Sequence, residues 1–512
     1  MHGTSRANGP EERSEWDSIK WSKTDRIVKN LRQRIFRATS EGDLRKARSL
    51  QKLMLRSYSN ALQSTRKVTQ LNTGKNTPGV DRVVVKTASA KMKTAKELLG
   101  HQPWRVHPAR RLYIPKANGK LRPLGIPTVH DRCLQAVVKN ALEPEWEATF
   151  ESTSYGFRPG RSCHDALHKV YLLARPNTRK KWVVDADIKG AFDNISHEFL
   201  LKALDQFSAR ELVNLWLTAG YMEWGQLHAT EAGTPQGGVI SPLLANIALH
   251  GMEQALGVKR DSKGVYRCSR AVVRYADDFL VFCESREDAM QCVKILTRFL
   301  AARGLEFSTE KTRVVNLRDG FDFLGFHIRQ FKSGSTKTGW KLFIQPSKSS
   351  VQKLKEKLRL IWQEGRHLPL SVMISRLNAV IRGWGNYHRK RQASRTFNKL
   401  DSWMFQRAVR FVKRRHGNHT WSWIHPRYWG QLHPGRKDRW VFGILPDGPY
   451  VQKFTWMTRQ RYVMVKGTAS PDDPKLRTYW RERTDPRYRV RCLLARVSLP
   501  INGSTLDHES GQ

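Results

Sequence analysis

Two adjacent carboxylates, Asp277 and Asp278, sit between two short apolar runs, Ala271–Val273 and Phe279–Phe282. The flanks are β-branched and aromatic, which predicts two buried strands with the acidic pair at the turn between them. Asp favours turns in any case, so the pair alone does not establish chemistry. A third acid would. Phosphoryl transfer on nucleotides commonly uses two divalent ions that bridge the attacking and leaving oxygens, and carboxylates hold them. Three candidates lie upstream. Lys181–Ile188 predicts a strand with Asp185 and Asp187 on one face, and Asp193 follows beyond a turn. An otherwise apolar strand does not carry carboxylates inward unless metal or hydrogen-bond donors satisfy them.

Cations suited to a triphosphate come from a second hairpin. Arg110–Leu124 contains two apolar runs joined by Ala117-Asn118-Gly119, with Arg110 and Lys116 on one face of the first strand and Arg122 on the return. Such charges suit a solvated face, or a lid over an active site. Ala232–Pro242 is a Gly-rich turn containing Gln236 and opening a helix, where backbone can approach an anion closely. Tyr155–Ser162 is a Gly- and Pro-punctuated loop carrying Arg158 and Arg161.

The chain that must position these groups has 512 residues, enough for three or four modules. Its 91 Lys+Arg against 45 Asp+Glu leave a formal charge of +46. A polyanion relieves such self-repulsion, and nucleic acid is favoured over an anionic membrane because 17 Trp offer stacking surfaces. Between residues 366 and 446 only Asp401 and Asp438 oppose 17 Lys+Arg, and six Trp lie in the same span. That excess is hard to explain by solvation alone, since ordinary surfaces mix signs. The six cysteines form no CxxC and no zinc spacing with His, so they suit buried thiols in a reducing compartment. No apolar run is long enough to span a membrane, and residues 1–16 resemble no secretory or organellar leader. An intracellular, cytoplasmic protein, bacterial in type, is the expectation.

Periodicity predicts the frame: a basic amphipathic helical pair over residues 19–70, helices over 88–99, 131–150, 163–174, 196–219, 243–254 and 286–303, and a helical region beginning at residue 351. Phe321–Ile328 reads as a further hairpin segment.

Taken in order, these blocks resemble the group II intron-encoded reverse transcriptases, the maturase-type proteins of mobile introns. The resemblance runs from about residue 60 to 445. It is carried by Ile114-Pro115-Lys116 through Pro127, Tyr155–Arg161, Asp187–Asp193, Thr234–Pro242, Tyr275–Asp278, Glu310–Thr312 and Phe323-Leu324-Gly325-Phe326. Gly383-Trp384-Gly385-Asn386-Tyr387-His388 resembles the family's maturase thumb. The fold so implied is α+β, a right-hand polymerase with fingers and palm on an antiparallel sheet, a helical thumb and a small basic C-terminal module. The expected division is residues 1–80 as a basic helical extension, 81–345 as fingers and palm, 346–425 as thumb (domain X), and 426–512 as a degenerate DNA-binding region.

The resemblance implies a catalytic triad of Asp187, Asp277 and Asp278, which hold two Mg²⁺ ions with help from the Ile188 carbonyl. Asp185 and Asp193 become supporting acids. Arg110, Lys116, Arg122, Phe192 and Gln236 would bind the dNTP, Phe192 selecting the sugar. Lys311 matches a proposed general acid for leaving pyrophosphate, and Phe323–Phe326 a primer grip. Arg389, Lys390 and Arg391 would contact RNA. The implied activity is RNA-directed DNA synthesis coupled to splicing and to retrohoming by target-primed reverse transcription. Its partners would be group II intron RNA, RNA template, DNA primer, dNTPs and target DNA, with no membrane. The alternative is an RNA-binding splicing factor with a vestigial polymerase. Relatives often end in a zinc-supported nuclease; here Cys492 and His508 stand without the paired cysteines, so neither nuclease nor zinc is expected.

Overall fold

The computed structural model describes residues 15–100, 105–115, 119, 121–259, 268–417 and 419–485. Lys116, Cys492 and His508 therefore lie outside the described residues. At the centre is a four-stranded antiparallel sheet ordered Ala271–Tyr275, Asp278–Cys283, Trp182–Ala186 and Arg313–Asn316. Its two middle strands are apolar at almost every position because both faces are covered. Val184, Phe279, Val281 and Cys283 face one core with Cys292, Leu296 and Leu300 of the helix Arg286–Ala301. Val183, Leu280 and Phe282 face another with Leu167 and Val170 of the helix Cys163–Leu173. The alternation is the pleat's period of two, read from both sides.

A second four-stranded sheet carries the fingers hairpin, Ala109–Pro115 antiparallel to Leu121–Ile126 and parallel to Tyr221–Glu223, with Gln226–His228 at the edge. Register places Arg122 opposite Ile114, hence on the face of Arg110. The thumb is built from helices Lys348–Glu364, Leu370–His388, Ser394–His416 and Trp421–Tyr428 around Leu354, Leu358, Ile374, Leu377, Ile381, Leu400 and Met404. The expected α+β right hand is the fold observed.

Three local expectations change. The helical pair over residues 19–70 is three helices, Trp21–Ser40, Leu44–Leu55 and Tyr58–Arg66, followed by a π turn at Lys67–Leu71. The breaks are capped: Asp43 accepts from the Lys46 N–H and Ser57 from the Asn60 N–H, satisfying orphan donors where the chain reverses. The helix expected over 196–219 divides into His197–Leu204 and Arg210–Thr218, with Asp205 between them at φ 31°. The hairpin at Phe326–Lys332 continues to a partner strand, Trp340–Pro346.

The segment after the thumb is tied to the rest of the molecule as a strap. Phe454 is buried in the thumb core, and Asp401 accepts from the backbone N–H groups of Phe454 and Thr455. Val465, Ala469 and Trp480 join the core beneath the palm. Asp165, fully buried, accepts from the Val465 N–H, the Tyr462 hydroxyl and Arg483 at 2.7, 2.9 and 2.9 Å. At the far end Arg32 donates to Asp472 at 2.9 and 2.7 Å and to Glu143 at 2.9 Å. Burial alone would lower the Arg32 pKa, but Asp472 and then Glu143 outweigh it and leave the cation strongly favoured. Glu143 answers in kind. Burial raises its carboxyl, Arg32 and Lys139 more than offset this, and the net position is below the usual glutamate range.

Removing Arg32 takes from buried Asp472 its ion-pair partner and leaves Glu143 with Lys139 at 3.4 Å, so Arg32→Met should cost about 3–5 kcal/mol in denaturant unfolding. A depressed carboxyl stabilises the fold above its unfolded value and loses that contribution as pH falls through its folded value. The wild-type advantage over Arg32→Met should therefore hold at neutral pH and shrink below about pH 4.3. An equal gap at pH 7 and pH 3 would contradict the assignment.

Candidate active site

The acidic pair is delivered by the tightest reversal in the palm sheet. Tyr275 pairs directly with Asp278, leaving Ala276 and Asp277 as a two-residue turn. Ala276 takes φ 59°, the left-handed region that such hairpin turns require. Asp187 follows directly on the neighbouring strand Trp182–Ala186, and its carbonyl accepts from the Ser308 N–H at 2.8 Å. A pocket of about 810 Å³ gathers Asp187, Ile188, Asp277 and Asp278 with Arg122, Phe192, Gln236 and Lys311. Phe192 stands edge-on to Phe157 at 6.1 Å between ring centres. Gln236 donates to both carboxylate oxygens of Asp193, at 3.1 and 3.0 Å. Arg110 lies outside that lining; its buried Nε has no hydrogen-bond partner among the described residues.

Charge in the pocket is crowded. Burial pushes the Asp278 carboxyl up to about 7, with Asp277 and Asp187 adding repulsion. Asp277 is also raised, by burial first, against partial relief from Arg122 and Lys311. Lys311 meets the Asp187 carboxylate at 2.7 Å, and that hydrogen bond holds its ammonium above the usual lysine value. Asp185, raised by burial to about 6, is engaged by Arg313 at 3.3 Å. Lys311 and Arg122 together do not neutralise three carboxylates. Asp187, Asp277 and Asp278 offer hard oxygen donors, the donor type that a small divalent cation such as Mg²⁺ takes.

A cleft of about 360 Å³ shares Asp187, Asp278 and Lys311 with the pocket and adds Phe323 and Leu324. Leu324-Gly325 is again a two-residue turn with positive φ, 48° and 78°, closing the pair Phe323–Phe326. The Leu324 carbonyl accepts from the Tyr387 hydroxyl at 2.8 Å and the Gly325 carbonyl from the Ser347 N–H at 3.0 Å, which bolts this turn to the thumb. Gly325 then borders an open groove of about 750 Å³ with Ser350, Lys353, Lys357, Gly383 and Trp384. Pocket, cleft and groove are thus linked from the carboxylates out to the thumb.

The thumb cations divide. Arg391 is buried against the Tyr171 ring at 5.5 Å, and Lys390 lies over Tyr462 at 5.0 Å. Arg389 is half-buried and donates to Asn386. A separate hollow of about 250 Å³ between two thumb helices is lined by Arg366, Arg407, Arg410, Arg414 and Arg415 around Trp362 and Phe411. Sequence reasoning found the basic span and missed this cluster, although Arg407, Arg410 and Arg414 stand at i, i+3 and i+7, one helix face.

Comparison with known proteins decides the family. The model for reverse transcriptase (RNA-dependent DNA polymerase) matches residues 114–328, that for the N-terminal domain of reverse transcriptase residues 16–98, and the group II intron maturase-specific domain residues 351–429. The protein YkfC of Escherichia coli is 35% identical over 308 residues, 53% of this chain and 81% of that protein. The chain belongs to the group II intron-encoded reverse transcriptases. The group II intron-encoded protein LtrA of Lactococcus lactis is 33% identical over 345 residues, 55% of this chain and 57% of LtrA. An uncharacterised 91 kDa protein in the cob intron of Schizosaccharomyces pombe is 30% identical over 351 residues, 55% of this chain and 43% of that protein. The chain therefore spans about half the length of these last two relatives. Reverse transcriptase and maturase segments follow one another in the chain as they do in the fold, palm before thumb. No helix among the described residues is long and apolar enough to cross a membrane.

The raised Asp278 carboxyl yields a test in the metal-free protein. A carboxyl raised by folding destabilises the fold progressively as pH climbs from the usual aspartate value, ~3.9, toward its folded value, here about 7. In EDTA, Asp278→Asn should melt above wild type at pH 8, and the gap should narrow through pH 5 and close only as pH falls below about 3.9. A gap independent of pH would show that Asp278 is not the strained acid.

Proposed function

We propose that the chain is an RNA-directed DNA polymerase that also holds its group II intron RNA, assisting splicing and retrohoming by target-primed reverse transcription. The observation that carries the reading is the meeting of Asp187, Asp277 and Asp278 with Arg122, Phe192 and Gln236 in one pocket. Asp187, Asp277 and Asp278, with the Ile188 carbonyl, would hold two Mg²⁺ ions. Bound there, the metal supplies Lewis-acid activation of the primer 3′-hydroxyl and neutralises charge on leaving pyrophosphate.

The chain's own groups do the rest. Arg122 is set to meet the triphosphate, with Arg110 and Lys116 as further cations of the same hairpin. Phe192 presents its ring where a 2′-hydroxyl would clash, and Gln236 lines the base pair being formed. Lys311, ion-paired with Asp187 without metal, is free to turn to pyrophosphate as its proton donor once cations occupy the site. Phe323, Leu324, Gly325 and Phe326 shape the turn against which the primer end rests, and the groove beyond takes the template–primer duplex. Target DNA would supply the primer terminus.

RNA binding is assigned to the thumb. Arg389, Lys390 and Arg391 close its second helix, while Arg366, Arg407, Arg410 and Arg414 present unmatched charge beside Trp362. An RNA phosphate backbone is the partner such a face fits.

Asp277→Asn should abolish template-primed extension with Mg²⁺ while leaving intron RNA affinity unchanged, because the thumb does not use the palm acids. Wild-type protein that promoted splicing yet never extended a primer would establish the splicing-factor alternative instead. A second test addresses the thumb. Each lost phosphate contact should flatten the log–log salt dependence of RNA binding by roughly 0.7–0.9. Changing Arg407, Arg410 and Arg414 together to Gln should therefore flatten it more than changing Arg389, Lys390 and Arg391, since Arg391 is buried. Splicing at low Mg²⁺ should fall in step; equal slopes for both sets would remove the special role of the hollow.

A further inference from the structure

Arg274 is the single charged residue in the apolar strand Ala271–Tyr275, and it is 1% exposed. An aliphatic side chain would fill that space without the cost of desolvating a cation, so packing alone does not account for it. Its donors show what it reaches. Nη1 donates to Asn246 Oδ1 at 3.0 Å and to the Ala276 carbonyl at 3.3 Å, inside the turn that carries Asp277. Nη2 is buried with no hydrogen-bond partner among the described residues. Asn246, also 1% exposed, donates onward to the Gly156 carbonyl at 2.9 Å.

The Gly156 contact is close. A Cβ there would lie 2.3 Å from the Ala276 N and 2.9 Å from its Cα, so backbone presses directly on the acidic turn. The loop that applies this pressure is itself fixed. The Arg274 N–H donates to the Thr153 carbonyl and the Tyr155 N–H to the Arg274 carbonyl, each at 2.9 Å. Arg158, ion-paired with buried Glu147 at 2.9 Å, donates to the Glu151 and Ser154 carbonyls at 2.7 and 2.9 Å. Ala276 therefore holds a left-handed conformation, unusual for a residue with a Cβ, between a glycine backbone on one side and a guanidinium on the other. Glu151, Glu253 and Asp277 are the acids whose charge Arg274 feels, and Arg158 is the opposing cation.

We propose that Arg274 is the positioning residue of the acidic turn: through the Ala276 carbonyl and Asn246 it fixes Asp277 and Asp278 in the geometry that receives metal. This rests on the reading of Asp187, Asp277 and Asp278 as the metal-holding triad. Arg274 does not touch substrate; it acts by locking the turn before metal arrives and by placing a buried positive charge beneath it. Groups that orient metal ligands in this way govern roughly 10–100-fold in metal affinity.

The test uses the full chain with Arg274→Lys and Arg274→Met, compared with wild type at matched folded fraction by circular dichroism. Mn²⁺ binding is read by electron paramagnetic resonance without nucleotide, and amide exchange at residues 275–278 is followed in EDTA. Both variants should bind Mn²⁺ more weakly, Met by roughly tenfold or more and Lys by less, with faster exchange confined to the turn. The Mg²⁺ needed for half-maximal primer extension should rise while KM for dNTP moves little. Wild-type Mn²⁺ affinity and exchange in the variants would overturn the proposal. If the Met variant does not fold, the Lys variant decides, because it keeps the charge while a shorter ammonium replaces the guanidinium whose Nη1 reaches both Asn246 and the Ala276 carbonyl. Failure of wild type itself to bind Mn²⁺ would instead remove the triad reading on which this one stands.

Discussion

Everything in the palm answers one constraint: three carboxylates are held in one pocket with too little positive charge to neutralise them. Burial and mutual repulsion lift Asp278 to about 7. A flexible chain would relieve such repulsion by moving apart. The sheet prevents this, because Asp187 directly follows one strand and Asp278 begins its neighbour, the two paired from Ala186↔Phe279 onward, and Asp277 is confined to a turn of two residues. Apolar burial on both faces of those strands stabilises the sheet against the charge it carries.

The same logic sorts the many cations of a chain with a formal charge of +46. Some are matched inside the fold. Arg32 joins the first helix to the strap, and Arg158 holds the loop behind the acidic turn. Others stand without an ion pair among the described residues: Lys353 and Lys357 in the groove, and the arginines of the thumb hollow. Net charge alone does not distinguish the groups. Arg391 shows the difference, standing in a basic run yet buried against Tyr171.

That is also the boundary of what the sequence made legible. The hairpin Ala271–Cys283 was readable because β-branched and aromatic flanks around adjacent acids leave few alternatives, while the apolar strand offered Asp185 and Asp187 alike, and only the family resemblance chose between them. The long helices were readable from their spacing. The break at Asp205 was not, because apolar residues continue in helical register across it and tertiary packing sets the turn. The short pair Tyr221–Glu223 and Gln226–His228 escaped because its strands are too short for alternation to register. Arg274 carried a signal that was passed over: a lone cation at an inward position of a strand is expensive, and its place three residues before Asp277 says where its donors are needed.

Polymerase and RNA-binding surfaces are joined through backbone rather than side-chain charge. The Leu324-Gly325 turn borders the carboxylate cleft on one side, and on the other receives Tyr387 and Ser347 from the thumb. Tyr387 belongs to the helix Leu370–His388, whose last turn leads directly into Arg389, Lys390 and Arg391. The strap closes the circuit, since it packs Phe454 against the thumb core and Val465 and Trp480 beneath the palm. Carboxylate cleft, turn and thumb are therefore joined by contacts a few residues long.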